Sequence, residues 1–358
     1  MKRELGFNVP FSGFTTTDFI NCFTSTLMVL EGITGKDDYE CKQRNGQPCN
    51  GCGNCRRSTA GLQEQRFFVY DTMCGRSSLR CRYDGEPTEM QELIGETEAG
   101  SCGTDYTVEL LFGFAGYAYE KLTDSEAFRA SIVASIDTGR PVIAKVKAGE
   151  GRFRVLTGYD GDALISPDYT NAQRKPQGAP AYDDLETLYI IGDKVQPRYT
   201  LKDGLERIRQ VIEHNLNEKL WDGYMDKMGW YQPDGLGKAD LAEKQARMQR
   251  VSDTMWHTFS SHNFAEVFRY RIIEALQDPA FDDICRQIGG PCFGYTHDLA
   301  WALIGLNERA DWSTHYACGW GEMVELTLER IKQNDIQALD AIERALAVYV
   351  SGEHPRGE

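Results

Sequence analysis

The chain has 358 residues, of which 41% are hydrophobic and 26% are charged, and its formal net charge is −15. This length fits two domains that each bury a core, and the composition is that of a globular protein rather than a disordered one. An acidic chain repels phosphate backbones and anionic membrane surfaces, so nucleic acid is excluded as an expected partner. The negative charge would attract a cationic ligand. The alternative is that the charge only keeps the protein soluble.

The N-terminal segment and the hydropathy pattern bear on the compartment. The first twenty residues contain no continuous apolar segment and no small-residue cleavage site, which disfavours a signal peptide. No later segment approaches the roughly 18 consecutive apolar residues of a membrane-spanning helix. The sequence therefore predicts a cytoplasmic protein with no membrane partner. In that compartment the 11 cysteines are expected to be free thiols, metal ligands or a nucleophile.

The N-terminal half of the chain begins with segments whose apolar residues recur at helical spacing. Apolar residues recur at helical spacing from Thr15 to Leu30 and predict a helix that ends at Gly32, with Cys22 in its early turns. Two more helices are predicted at 107–119 and 125–137. The apolar run RFFVYDT, at 66–72, predicts a strand.

Short β-rich runs then replace the helical pattern, and glycine and aspartate turns separate them. They lie at 141–147, 152–159, 162–166 and 187–192. Helices followed by an antiparallel sheet predict an α+β domain. The stretch around Pro197 marks a boundary, so the predicted domains are 1–197 and 198–358.

The second domain is predicted to be all-helical, because apolar residues recur at spacings of three and four throughout it. The predicted helices span 205–220, 238–251, 254–276, 297–306, 321–333 and 336–350.

The segment CKQRNGQPCNGCGNC predicts a metal site in a Cys-rich loop at 41–55. Its thiols are Cys41, Cys49, Cys52 and Cys55. Paired Cys-x-x-Cys steps with intervening glycines let four thiolates converge on one tetrahedral zinc ion, so we expect a zinc-stabilised loop. The two Cys-x-x-Cys steps share one cysteine, a spacing that is also similar to the cysteine motifs of iron–sulfur proteins. The alternative without a metal is a set of free thiols or a disulfide.

The segment GRPVIAKVKAGEGRFRVLTGYDGDALISPDY, at 139–169, resembles the histidine-bearing hairpin of papain-like cysteine peptidases, in particular bacteriocin-processing peptidases. In that family a strand like PVIAKV precedes a Gly-His pair, a short apolar strand and Gly-Tyr-Asp. The helix NCFTSTLMVLEGI matches the helix that carries the nucleophile, at Cys22. A papain-like half before a helical half also resembles the acyltransferase of butirosin biosynthesis. The resemblance implies a papain-like N-terminal domain and cysteine-dependent acyl transfer or amide hydrolysis.

The resemblance assigns roles to particular positions. Cys22 matches the nucleophile, and Asp168 falls near the residue that orients the base. No glutamine stands shortly before the cysteine, so Asn21 is the candidate oxyanion donor, in a different geometry.

Arg152 stands where the family has its histidine, and the first 213 residues contain no histidine at all. An arginine lowers the pKa of a thiol but stays charged, so it cannot protonate a leaving group. A catalytic base would therefore come from the second half or from the substrate. The candidates are His214, His257, His262, His297, His315 and His354.

Each candidate has a structural alternative. Cys22 is a nucleophile or a thiol buried among Phe19, Phe23 and Thr26. Arg152 and Arg154 alternate along one strand and form either a solvated or salt-bridged face or an anion-binding pair. The basic segment GRSSLRCRYDG, at 75–85, lacks P-loop spacing and predicts a turn with ion-pair partners.

Two functions from different classes follow from these alternatives. The first is a cysteine-dependent hydrolase or acyltransferase that acts on a peptide or a cationic amine at Cys22, with a non-standard or absent catalytic histidine. The second is a catalytically inactive papain-like module that binds a peptide or small molecule in the former substrate cleft. The sequence leaves open whether the chain is an enzyme.

Overall fold

A computed structural model of the protein describes residues 2–5, 19–33, 59–80, 82–95, 103–147, 153–167, 169–170, 176–220, 222–229, 242–243, 246 and 320–351. The chain divides into two compact units. The first contains Met1–Tyr70 and Leu93–Thr200, and the second contains Asp71–Glu92 and Leu201–Glu358. The predicted domain boundary after residue 197 stays a prediction. The second unit combines Asp71–Glu92 with the residues that follow Thr200.

The elements of the described residues run in chain order as follows: β1 (Lys2–Glu4), α1 (Phe19–Leu30), α2 (Thr59–Met73), α3 (Glu89–Ile94), α4 (Asp105–Ala115), β2 (Tyr117–Leu122), α5 (Ser125–Asp137), β3 (Val142–Val146), β4 (Phe153–Leu156), β5 (Gly158–Asp160), β6 (Ala163–Ile165), β7 (Tyr169–Thr170), β8 (Pro176–Gln177), β9 (Leu185–Lys194), α6 (Leu201–Asn217), α7 (Tyr224–Lys227) and α8 (Trp320–Ser351). Helices and antiparallel strands are mixed, which agrees with the predicted α+β class.

The first unit is built on antiparallel sheets. Its main sheet has the strand order β2-β9-β3-β4, and a second sheet has the order β1-β5-β6. Every pair of neighbouring strands in these sheets is antiparallel. The strands β3 and β4 form the hairpin that carries the resemblance, with Val142 opposite Leu156 and Ala144 opposite Arg154.

Helix α5 covers one face of the main sheet. Its apolar side chains Phe128, Ile132 and Ile136 repeat at helical spacing and are buried against strand residues of both larger sheets. Asp124 caps the helix, because its side chain accepts a hydrogen bond from the backbone N–H of Glu126 at 3.0 Å. The prediction of this helix at 125–137 is confirmed.

The predicted strand at 66–72 is wrong, because these residues belong to helix α2. Gln63, Phe67 and Tyr70 recur at i, i+4 and i+7, and Gln63 and Phe67 are buried. This spacing places their side chains on one face of a helix, which then packs against α1. The β-favouring run Phe67–Tyr70 is overridden by tertiary packing.

The helix predicted at 107–119 is α4 and ends earlier, at Ala115. Gly116 follows in the left-handed conformation, with φ 70°, and its N–H donates to Phe112 O at 3.0 Å. This is a common helix end, since glycine adopts positive φ without strain. The residues Tyr117–Tyr119, predicted as helical, instead begin strand β2.

The elements of the second unit are helical in the described residues, and the all-helical domain at 198–358 stays a prediction. Helix α6 buries Leu205, Ile208 and Val211 and packs against α8. The helices predicted at 321–333 and 336–350 form the single helix α8. The segments predicted as helices at 254–276 and 297–306 lie outside the described residues, as does most of 238–251.

A buried ion pair lies in this unit. Arg80 Nη2 is 2.6 Å from Asp335 Oδ1, and the side chains are 2% and 5% exposed. Burial raises the pKa of the Asp335 carboxyl, and attraction to Arg80 opposes that change. Since Asp335 binds Arg80 and not the local backbone, it does not interrupt α8.

The basic segment at 75–85 supplies ion-pair partners, as predicted. Arg76 pairs with Asp71 at 2.9 Å and Arg82 with Asp84 at 2.7 Å, in addition to the pair of Arg80. Among the described residues no helix is both long enough and apolar enough to cross a membrane.

We predict that Arg80→Met lowers the free energy of unfolding of the second unit by about 3–5 kcal/mol, because it leaves a buried carboxyl group without its partner. Lys332→Met is the matched control: it breaks the pair with Asp222, whose side chains are 29% and 46% exposed, and should cost about 1 kcal/mol or less. All six tryptophans lie after residue 200, so tryptophan fluorescence during urea denaturation reports on this unit. Equal losses for the two variants would contradict the prediction.

Candidate functional site

Helix α1 is the buried centre of the first unit. Every residue from Phe19 to Val29 is buried, and the helix packs against β3 and β4. It ends at Leu30, as predicted, and Gly32 follows in the left-handed conformation, with φ 79°, while the N–H of Ile33 donates to Met28 O at 2.9 Å.

An aromatic cluster joins α1 to the main sheet. The Phe19 ring lies edge-on to Phe153 of β4, with centroids 5.4 Å apart, and to Tyr189 of β9, at 5.2 Å. Phe23 makes an edge contact with Phe112 of α4 at 4.9 Å. Such pairs stabilise by about 0.5–1.5 kcal/mol each beyond their buried area, so the cluster holds α1 in a fixed orientation.

The thiol of Cys22 is fully buried. Its residue is 0% exposed, and it forms no disulfide with another described cysteine. This agrees with the interpretation of Cys22 as a packed thiol beside Phe19 and Phe23. Its other neighbours along the helix are polar, which that interpretation does not explain.

A polar seam runs along α1, and we define it as Asn21, Cys22, Ser25 and Thr26 together with Gln63 of α2. All five residues are at most 1% exposed. The Gln63 side-chain amide donates to Asn21 Oδ1 and to Ser25 Oγ, the latter at 3.3 Å. A second contact beside the seam joins the same helices, where Arg66 pairs with Glu31 at 2.5 Å.

Gln63 is the site residue that sequence reasoning missed. The segment 66–72 was predicted to be a strand, so Gln63 was not placed on a helix beside α1. The signal in the sequence is the helical spacing of Gln63, Phe67 and Tyr70, which includes one polar residue on an otherwise apolar face.

Arg154 lies on strand β4 and is 8% exposed. All four residues of the strand are buried, so the alternative of a solvated strand face is wrong for Arg154. Its cross-strand partner Ala144 belongs to the core under α5. Side chains alternate along a strand, so Arg154 lies on the α5 face, opposite to Phe153 and α1.

Several predicted site residues lie outside the described residues, and their roles stay predictions. They are Arg152, Asp168, Cys41, Cys49, Cys52, Cys55, His257, His262, His297, His315 and His354. His214 lies on α6 in the second unit. Among the described residues, no group of three or more His, Cys, Asp or Glu side chains is arranged to hold a metal ion.

A groove with a volume of about 490 Å³ lies beside the edge strand β2, between it and α4. Its polar lining includes Glu109, Tyr119 and Arg198. Tyr119 Oη donates to Glu109 at 3.1 Å, and Arg198 pairs with the same carboxylate at 2.5 Å. No residue of α1 lines this groove.

Burial raises the pKa of tyrosines around the aromatic cluster. The pKa of Tyr70 is raised to about 12, mainly by burial, although nearby Arg66 lowers it in part. The pKa of Tyr119 is also raised to about 12, by burial and by its hydrogen bond to Glu109. Both phenols are therefore neutral at physiological pH and act as hydrogen-bonding and packing groups.

We predict that the first unit loses stability as the pH rises from about 10 to 12, and that Tyr70→Phe loses less. The unfolded phenol ionises near pH 10, whereas the folded one ionises near 12, so rising pH stabilises the unfolded state over this interval. Tyr106→Phe, which removes a phenol that is 42% exposed, is the control and should follow the wild type. Chemical denaturation followed by circular dichroism at each pH measures the difference, and identical curves for all three proteins would contradict the prediction.

Comparisons of the chain with protein-family models, with curated proteins and with solved structures find no match.

Proposed function

We propose that the first unit is a papain-like module that carries out cysteine-dependent acyl transfer or amide hydrolysis at Cys22, with a non-standard or absent catalytic histidine. The substrate is a peptide or a small molecule, and the acidic chain suits a cationic amine as acyl acceptor. The protein acts in the cytoplasm under this proposal. The support comes from the resemblance of 139–169 and of the α1 helix, together with one structural observation.

That observation is the polar seam around Cys22. Burying hydroxyl and amide groups in a core is unfavourable unless they are paired, and apolar side chains of similar size would pack there at lower cost. A structural thiol needs only apolar neighbours. Local departures from good packing chemistry concentrate at functional sites, so the seam favours a chemical role for Cys22.

The proposed roles follow the resemblance. Cys22 is the nucleophile, Asn21 donates to the developing oxyanion, and Asp168 orients the base. Arg152 lowers the pKa of the thiol or binds an anionic substrate group. The first 213 residues contain no histidine, so the base is a group of the substrate or comes from the later part of the chain.

A second function is favoured by the complete burial of Cys22. A thiol with 0% exposure meets no substrate in this conformation, and the first 213 residues contain no histidine. The alternative is an inactive papain-like module that binds a peptide or small molecule. The groove beside β2, lined by Tyr119 and Glu109, offers such a module a ligand surface within the first unit.

We also propose that Cys41, Cys49, Cys52 and Cys55 bind one zinc ion. The support is the sequence pattern, in which four thiolates within fifteen residues suffice for a tetrahedral shell. The site is structural, since four cysteines leave no open position for a substrate.

We predict that a small alkylating probe modifies Cys22 in the native protein at a pH below about 8.5, the usual pKa of a free thiol. An activated thiolate reacts in its folded environment, whereas a packing thiol reacts after unfolding. The measurement is labelling between about pH 5 and 9, with the modified residue located by mass spectrometry.

Cys74 is the internal control for this labelling, because it is likewise 0% exposed and in no disulfide among the described residues, but it lies in the second unit. Preferential modification of Cys22 supports the enzyme. Modification of both thiols only after unfolding would exclude the nucleophile and favour the binding module.

We predict that the purified protein contains about one zinc ion per chain and that Cys52→Ser loses it. Loss of one thiolate opens the tetrahedral shell and weakens binding. Elemental analysis measures the content, and Cys74→Ser, which alters a cysteine outside the loop, is expected to keep the metal. Iron with a visible absorbance band would indicate a cluster instead of zinc, and protein without metal would refute the site.

A further inference from the structure

The Thr26 hydroxyl is a buried polar group without a hydrogen-bond partner among the described residues. The residue is 0% exposed, and its Oγ1 makes no hydrogen bond within that part of the chain. Thr24, on the same helix and equally buried, donates to Ile20 O at 2.7 Å and so satisfies its hydroxyl within the helix. An unpaired buried hydroxyl destabilises a fold, so a partner for Thr26 other than the described residues would be favourable.

Thr26 lies one helical turn after Cys22. Side chains at i and i+4 are neighbours on a helix surface, with Cβ atoms about 5–6 Å apart. Because each Cα–Cβ bond leans toward the helix N-terminus, the Thr26 side chain extends over the turn that carries Cys22. Its unused hydroxyl is therefore within reach of a group bound at the thiol.

Gln63 of α2 holds the Asn21 and Ser25 side chains of the polar seam in place. Its amide donates to both Asn21 and Ser25, the residues that flank Cys22 on the adjacent row of α1. Asn21 Oδ1 is thereby held as the acceptor, which sets the direction of the Asn21 amide N–H groups. Loss of Gln63 removes the hydrogen bond that fixes this orientation.

We infer that the polar seam is a binding site for the carbonyl oxygen of an acyl group, with the Thr26 hydroxyl as a donor and Gln63 as the positioning residue for Asn21. This inference rests on the proposed function, since the acyl group is the one that Cys22 accepts. A preorganised donor in a buried site stabilises the negative charge that develops on that oxygen.

The test compares two reactions of the full-length protein at Cys22. Acylation by a small acyl thioester forms a bond between Cys22 Sγ and the carbonyl carbon, breaks the thioester C–S bond and releases a thiol that takes the proton. Alkylation by iodoacetamide displaces iodide at a saturated carbon and develops no charge on a carbonyl oxygen. The ratio of the two rates therefore reports on the oxygen site and not on the thiol.

We predict that Thr26→Val lowers the acylation rate roughly 100-fold and leaves the alkylation rate unchanged, as expected for loss of one oxyanion donor. Gln63→Leu lowers the same ratio, because Asn21 loses its fixed orientation. Thr24→Val is the matched control and keeps the ratio, since the Thr24 hydroxyl is bonded within the helix. Thr26→Ser retains the hydroxyl and should keep the wild-type ratio of the two rates. Thr26→Ala replaces Thr26→Val if Thr26→Val does not fold.

The outcomes separate the inference from the proposed function. An unchanged ratio in Thr26→Val overturns the oxygen site while Cys22 remains reactive, and the proposed function stands. Equal losses of acylation and alkylation show an effect on the thiol or the fold and also overturn the oxygen site. A native wild-type protein that reacts with neither probe at Cys22 refutes the proposed function, and the inference falls with it.

Discussion

The packing of α1 against the main sheet is the constraint on which the first unit depends. The Phe19 ring contacts Phe153 of β4 and Tyr189 of β9, and it thereby fixes one helix against the strands at both positions. Aromatic rings have large buried areas and preferred edge-to-face geometries, so this cluster defines both the depth and the rotation of the helix. The rotation of α1 decides which side chains face the sheet and which face α2.

The two faces of α1 differ in chemistry for that reason. The face toward the sheet is aromatic, whereas the face toward α2 holds the polar seam, with Gln63 bonded to Asn21 and Ser25. Buried polar groups of this kind are costly unless they are paired, and the hydrogen bonds of Gln63 offset part of that cost. Complete burial of Cys22 argues against a nucleophile in this conformation. The reactivity of the thiol in the native protein therefore decides between the two proposed functions.

The second unit is stabilised differently in its described residues. Apolar side chains of α6 and α8 form its core, and Arg80 inserts into it to pair with Asp335. A buried pair is costly to break because each partner leaves an uncompensated charge. The segment Asp71–Glu92, which precedes most of the first unit's strands in the chain, thus belongs to the packing of the helices that follow residue 200.

The sequence by itself determined the α+β class, the helices at α1 and α5 and the antiparallel strands, because these elements have strong periodicity and clear end signals such as Gly32 and Asp124. It also predicted the ion-pairing role of the basic segment at 75–85, whereas the catalytic roles of Cys22 and Asn21 stay predictions. Only the tertiary structure decided that 66–72 is helical, that α8 continues through Asp335, that Arg154 is buried under α5 and that Gln63 joins the seam. Each of these depends on a partner distant in the chain, and local patterns contain no information about which surface a residue meets.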